Sequence, residues 1–217
     1  MTQENRPIHH SDNSNLDLLL SSYHFDLPTE LIATRPTKKR DECRLLVYKM
    51  PSNEIIDARF LDLHKYLPVN SLLVKNQTKV LPCRLLGKKS TGAKCEVLIL
   101  GPFAGAAVQQ VLIKSSSKKH LKDKYHFGNN KELSGEIVAI NGDGTFQFDF
   151  NLKGEAQEKA LEQYAKIPIP PYIRNGESDQ QDKADYQTIY AKVPGSVAAP
   201  TAGLHFTEQV MDNLKTK

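Results

Sequence analysis

The 217-residue chain has no tryptophan, only three methionines and only three cysteines, Cys43, Cys83 and Cys95. Three is an odd number and no CxxC spacing occurs, which excludes a disulfide framework and a clustered zinc site and fits a reducing, cytoplasmic setting. No stretch reaches the ~18–20 consecutive apolar residues of a membrane span. The start, MTQENRPIHHSDNSN, lacks the apolar core of a secretion signal, and LDLLL is too short to supply one. Also missing are a Walker loop, a GxGxxG after a strand, a GxSxG and an HExxH, so the common devices for holding nucleotides, activating serine or binding zinc are excluded. Neither sign of charge dominates: 29 lysines and arginines face 25 acids, a net +4 that permits a nucleic-acid partner without requiring one.

What is there has a clear order. Residues 1–21 read as a polar, disordered extension holding His9 and His10. Asp26, Pro28 and Glu30 predict a helix start that Pro36 ends. RLLVYKM (Arg44–Met50), PSN and EIIDARF predict a hairpin. FLDLHKYL (Phe60–Leu67) has helical spacing up to Pro68, and SLLVKN (Ser71–Asn76) predicts a buried strand.

The texture then turns to β. Five runs, KVLPCRLLGKK, KCEVLILGPF, AAVQQVLIKSS, LSGEIVAI and TFQFDF, predict a small antiparallel barrel. Phe146, Phe148 and Phe150 alternate with polar residues, and NGDG (Asn141–Gly144) predicts a tight hairpin. GEAQEKALEQYAK predicts a helix with Ala156, Ala160, Leu161 and Tyr164 on one face. IPIPPYI forces an extended run, and NGESDQQDKAD reads as a polar loop. The order predicts an α/β (mixed α+β) domain, 22–81 and 167–217, interrupted by an inserted antiparallel β-barrel with a trailing helix, 82–166.

Four segments could carry chemistry. RPTKKRDECR (Arg35–Arg44) is either a solvated loop or a phosphate-binding patch. NQTKVLPCR (Asn76–Arg84) is a corner that Asn76 and Thr78 can brace. KSSSKKHLKDKYHF (Lys114–Phe127) is either a soluble hairpin loop or an RNA contact using its lysines with Tyr125 and Phe127. The fourth is AAPTAGLHFT (Ala198–Thr207), small-residued and nearly uncharged, with Thr207 placed to cap a following helix. Its small residues permit close approach to a ligand. His205 is either a structural histidine or a proton carrier near neutral pH.

Together these segments resemble one family, the S-adenosylmethionine:tRNA ribosyltransferase-isomerases of queuosine biosynthesis. FDLPTELIATRP with RDECRLLV, NQTKVLPCRLLGKK, IPIPPYI and DYQTIYAKVPGSVAAPTAGLHFT carry the likeness, from about Tyr23 to the C-terminus and most weakly through the β block. The resemblance implies transfer and isomerisation of the ribosyl part of S-adenosylmethionine, a cosubstrate, onto 7-aminomethyl-7-deazaguanine in a tRNA anticodon loop. Epoxyqueuosine forms, adenine and methionine leave, and no metal takes part. It implies His205 and Tyr190 as catalytic candidates, with Thr201, Gly203, Phe206 and Thr207 around the cosubstrate. Arg40, Arg44, Lys79, Arg84 and Tyr186 become the tRNA contacts. Two departures stand out. Gln77 occupies a position where family members usually carry aspartate, and the family's later HVGxGTF pattern does not occur. The expectation is a C-terminally truncated chain with an incomplete larger domain. Its alternatives are a non-catalytic tRNA-binding relative, or one part of a split enzyme whose second chain supplies the missing C-terminal part.

Overall fold

A computed structural model describes residues 16–100 and 106–216. The chain separates at Ala33 and Thr34 into a short N-terminal unit and a larger one. His9, His10 and most of the extension expected over 1–21 lie outside the described residues, as do residues 101–105.

In the short unit, Leu16–Leu18, Leu20–Tyr23 and Thr29–Leu31 form single 3-10 turns. The helix expected after Asp26 is thus reduced to one turn, closed by Ile32 N–H on the Thr29 carbonyl. Leu31 is exposed and offers no packed face. A short helix draws most of its stability from such a face, so it does not propagate here.

In the larger unit, β1 (Arg44–Lys49) and β2 (Glu54–Arg59) form the expected antiparallel hairpin, in register from Arg44↔Arg59 to Lys49↔Glu54. Asn53 takes the left-handed conformation that closes its turn. Phe60–Lys65 follow as a 3-10 helix. Ser71–Asn76 is not a strand: no other strand pairs with it among the described residues, and Leu72 and Val74 stand 89% and 84% exposed. A continuous apolar run becomes a buried strand only where ladders and two covering layers exist, and neither is present around it.

Next, β3 (Thr78–Val80) pairs in parallel with β10 (Val193–Ser196). Pro194 and Gly195 disguise β10 in the sequence, and the register shifts between Pro194 and Ser196. Between them in the chain stand β4 (Arg84–Lys89), β5 (Lys94–Ile99), β6 (Val108–Ser115), β7 (Lys124–Phe127), β8 (Leu133–Ile140) and β9 (Phe146–Phe150). These six close an antiparallel barrel in the order β4-β5-β6-β9-β8-β7. The pairing of β3 with β10 therefore joins the chain on either side of the barrel.

One barrel strand more than the sequence predicts is present. The addition is β7, inside the lysine-rich segment read as a loop or RNA contact, and its Tyr125 and Phe127 are fully buried. They fill the barrel interior with Leu85, Val97, Phe148 and Phe150, which corrects the stacking role. Asn141–Gly144 turns β8 into β9 as expected, with Gly144 at φ 85°. Helix α1 (Gly154–Tyr164) packs Ala160 and Leu161 on the barrel core; Gln157, not Ala156, completes its buried face. Two further helices are short: α2 (Asp182–Asp185) and α3 (Glu208–Lys215).

Candidate functional site

The AAPTAGLHFT segment leaves β10 and winds through a 3-10 turn, Thr201–His205, before Thr207 starts α3. Thr207 caps the helix as its position predicts: its Oγ1 accepts from Val210 N–H at 3.3 Å. The same hydroxyl donates to Asp41 Oδ2 at 2.7 Å. Asp41 is buried in the 3-10 turn Arg40–Glu42, so this bond ties the loop to the start of β1. The donor and one of the two acceptor lone pairs of the Thr207 hydroxyl are therefore engaged within the fold.

Beneath the loop lies an apolar cluster of Phe60, Phe206 and Val210, with Leu45, Tyr190 and Leu214 at its edge. The ring of Phe206 meets Phe60 at 5.1 Å and Tyr190 at 6.1 Å, both edge-on, a geometry aromatic pairs favour. Phe206 is buried in this core. His205 is half-buried, its ring 5.3 Å from Phe60 and its Nδ1 3.2 Å from Cys43 Sγ. Burial pushes the Cys43 thiol up.

Tyr190 occupies the space beside Gly203: a Cβ there would run into the Tyr190 hydroxyl and stand 3.0 Å from Thr188 Cγ2. The glycine is there to admit Tyr190. That tyrosine carries Lys75 Nζ 4.8 Å from its ring centroid, and burial raises its phenol. Thr201 and Ala202 are exposed at the head of the turn. His205, Tyr190, Gly203 and Phe206 thus form one contiguous group, with Thr201 at its outer end.

The basic segment Arg35–Arg44 is neither a free loop nor an open phosphate patch. The Arg40 guanidinium donates to the carbonyls of Gln187 and Ala184, each at 2.6 Å. Arg35 pairs with Asp179, Asp182 and Asp185, and Arg174 closes on Asp179 and Asp182 from the other side. Asp182 is 1% exposed, and its two arginine partners neutralise it. The Arg35 side of this cluster was missed because ion pairs between residues over 140 positions apart leave no periodic signal. Lys39 pairs with Glu42, and Arg44 is exposed against Asp57 at 2.9 Å.

The remaining tRNA candidates divide. Arg84 is held by the Gly176 carbonyl and by Glu96, and Tyr186 is buried against Val80 and Ile169. Lys79 is exposed on β3. The corner before it is braced as expected, Asn76 Oδ1 accepting from Thr78 N–H and Oγ1 at 2.9 and 2.8 Å. Gln77 holds β10 through its carbonyl, which accepts from Lys192 and Val193. Among the described residues no three His, Cys, Asp or Glu side chains cluster as metal ligands, and no helix is long and apolar enough to cross a membrane.

A family model described as queuosine biosynthesis protein matches residues 20–217. The S-adenosylmethionine:tRNA ribosyltransferase-isomerase of Sulfurimonas denitrificans is 38% identical over 94% of this chain and 59% of its own length. Those of Natranaerobius thermophilus and Anaeromyxobacter sp. are 38% and 40% identical over 90% and 91% of this chain, each along 56% of its own length. A solved structure, the S-adenosylmethionine tRNA ribosyltransferase of Thermotoga maritima, is 24% identical with a TM-score of 0.36, covering 89% of this chain and 53% of that one. The chain spans a little over half the length of the curated relatives it matches.

Proposed function

The chain belongs to the queuosine biosynthesis protein family, and from that membership we propose that it serves tRNA modification as an S-adenosylmethionine:tRNA ribosyltransferase-isomerase. The reaction is transfer and isomerisation of the ribosyl group of S-adenosylmethionine onto 7-aminomethyl-7-deazaguanine in tRNA, giving epoxyqueuosine with release of adenine and methionine. The organisation that goes with it is a barrel and helix, 82–166, inserted into a domain formed by 22–81 and 167–217, working in the cytoplasm.

The observation that carries this reading is the likeness to the enzymes of Sulfurimonas and Natranaerobius over nine-tenths of the chain. The family match, residues 20–217, includes the segment in which His205, Tyr190 and Gly203 come together. The chemistry needs a base to take a proton from carbon beside the sulfonium and an acid to assist adenine departure. His205 is the proton carrier in this reading. With Nδ1 turned to Cys43, its Nε2 is the atom left for substrate. Tyr190 supplies a hydroxyl beside the same turn, and exposed Thr201 meets the cosubstrate. Lys79 and Arg44, both exposed, are the RNA contacts that follow.

A split enzyme, with a second chain supplying the region of the HVGxGTF pattern, is the second reading. It is favoured by the exposure of Leu72 and Val74 in a run of strand composition. Adenine release from S-adenosylmethionine in the presence of precursor-bearing tRNA tests both. Turnover by this chain alone, abolished in His205→Ala, supports the first reading. Turnover only after addition of the C-terminal part of a relative supports the second. No adenine release in either mixture, with tRNA still bound, overturns both in favour of a non-catalytic tRNA-binding protein.

A further inference from the structure

The outer face of the barrel carries a concentration of positive charge that neither the core nor the candidate site uses. Strand pairing places His126 on β7 opposite Lys88 on β4, and Lys88 opposite Lys94 on β5. With strands about 4.8 Å apart, this row spans roughly 10 Å across three strands. Lys114 follows on β6, and Lys131 and Lys166 stand at the rim. These residues line one groove of about 1540 Å³.

None of the five lysines makes an ion pair among the described residues. The groove's carboxylates are few: Glu96 is already bound to Arg84, and Glu177 is the other. Like charges directly opposite on neighbouring strands destabilise a sheet. Folding alone therefore gives no reason for Lys88 and Lys94 to share a register position, whereas an anion bridging them does. The groove's size and its several separated cations fit a polymer with repeating charge, being well above the ~300–1,000 Å³ of small-molecule sites. Exposed Leu86 and half-buried Tyr164 line the same groove and offer apolar surface to a base.

We infer that this barrel face, with Lys88 and Lys94 at its centre, is a docking surface for the phosphate backbone of tRNA. The inference rests on the proposed tRNA substrate and shares no residue with the site around His205.

Fluorescence anisotropy of the full chain with a labelled, unmodified tRNA transcript tests it, titrated at several salt concentrations. The double variants Lys88→Glu/Lys94→Glu and Lys88→Gln/Lys94→Gln are compared with Lys159→Glu, a charge change on α1 outside the groove. Thermal melts establish that each variant is folded, and the glutamine pair keeps the test open should the glutamate pair misfold. Expected is an affinity loss of about fivefold or more in both groove variants and a salt slope lower by about one per lysine removed, with Lys159→Glu unchanged. Wild-type affinity and slope in the folded glutamine variant would overturn the groove while leaving the tRNA-modification reading intact. Failure of the wild-type chain to bind tRNA at all would overturn the tRNA substrate and the groove together.

Discussion

Cys43 Sγ lies 3.2 Å from Nδ1 of His205, joining the residue before β1 to the last residue of the 3-10 turn before α3. Burial raises the thiol, so near neutral pH it is protonated and its S–H faces the imidazole. A donating thiol leaves Nδ1 as acceptor and places the ring proton on Nε2. Neutral His205 is therefore expected as the Nε2–H tautomer in long-range proton–nitrogen NMR spectra, and Cys43→Ala is expected to mix the tautomers. Identical spectra for the two proteins would show that Cys43 does not set the ring.

The same burial logic orders the three thiols. Cys83 is pushed up to about 12 and Cys95 to about 11, both by desolvation inside the barrel core, and both are buried, whereas Cys43 is only partly covered. Thiolate is the reactive form. Native chain treated with iodoacetamide at about pH 7.5, one unit below the ordinary cysteine value, should label Cys43 first, and Cys83 and Cys95 only after denaturation. Peptide mapping that finds Cys83 labelled first in folded protein would contradict the closed barrel.

Thr207 links helix capping to a buried carboxylate, so its removal has two costs. Thr207→Ala should lower stability by about 1–2 kcal/mol for the lost cap, with more added by leaving Asp41 short of a donor. Thr207→Ser keeps the hydroxyl and should recover most of the loss. Chemical denaturation that finds the serine and alanine variants equally destabilised would remove the hydroxyl from the account.

Gly203 and Tyr190 should behave as one unit. Alanine at 203 drives Cβ into the tyrosine hydroxyl, an overpacking that costs about 1–3 kcal/mol. Tyr190→Phe removes the clashing oxygen, so the double variant should be more stable than additivity of the singles allows. Additive losses in a double-mutant cycle would show that another contact excludes the side chain.

Short-range grammar made much of this fold readable. The β1–β2 hairpin is announced by PSN between two apolar runs, the β8–β9 turn by NGDG, and the start of α3 by Thr207. Burial was harder. Tyr125 and Phe127 are surrounded in sequence by lysines and look like an exposed patch, yet alternation places both rings in the barrel interior. Ser71–Asn76 shows the reverse, an apolar run with no partner. The site was half visible. The loop and His205 are local features, but Cys43 and Asp41 reach it across long stretches of chain. Local pattern carries no information about such pairings.

The barrel's own charge pair predicts its behaviour in acid. Lys89 is almost fully buried and places Nζ 2.6 Å from Asp123 Oδ2. Desolvation pushes the Asp123 carboxyl up, but the Lys89 hydrogen bond, the His120 N–H and the attraction of both groups outweigh it, leaving the group below its ordinary value. A depressed carboxylate binds protons more readily when unfolded. Its contribution is thus complete above the ordinary carboxylate range and disappears as pH falls through the depressed folded value. Asp123→Asn cannot titrate, so its melting temperature should fall less steeply than wild type's as pH drops from about 5 toward 2. Lys89→Met removes the main partner and should bring the Asp123 titration, followed by carboxyl carbon NMR, up toward or above the ordinary aspartate range. Parallel melting curves for wild type and Asp123→Asn across that window would mean the pair holds no pH-dependent stability.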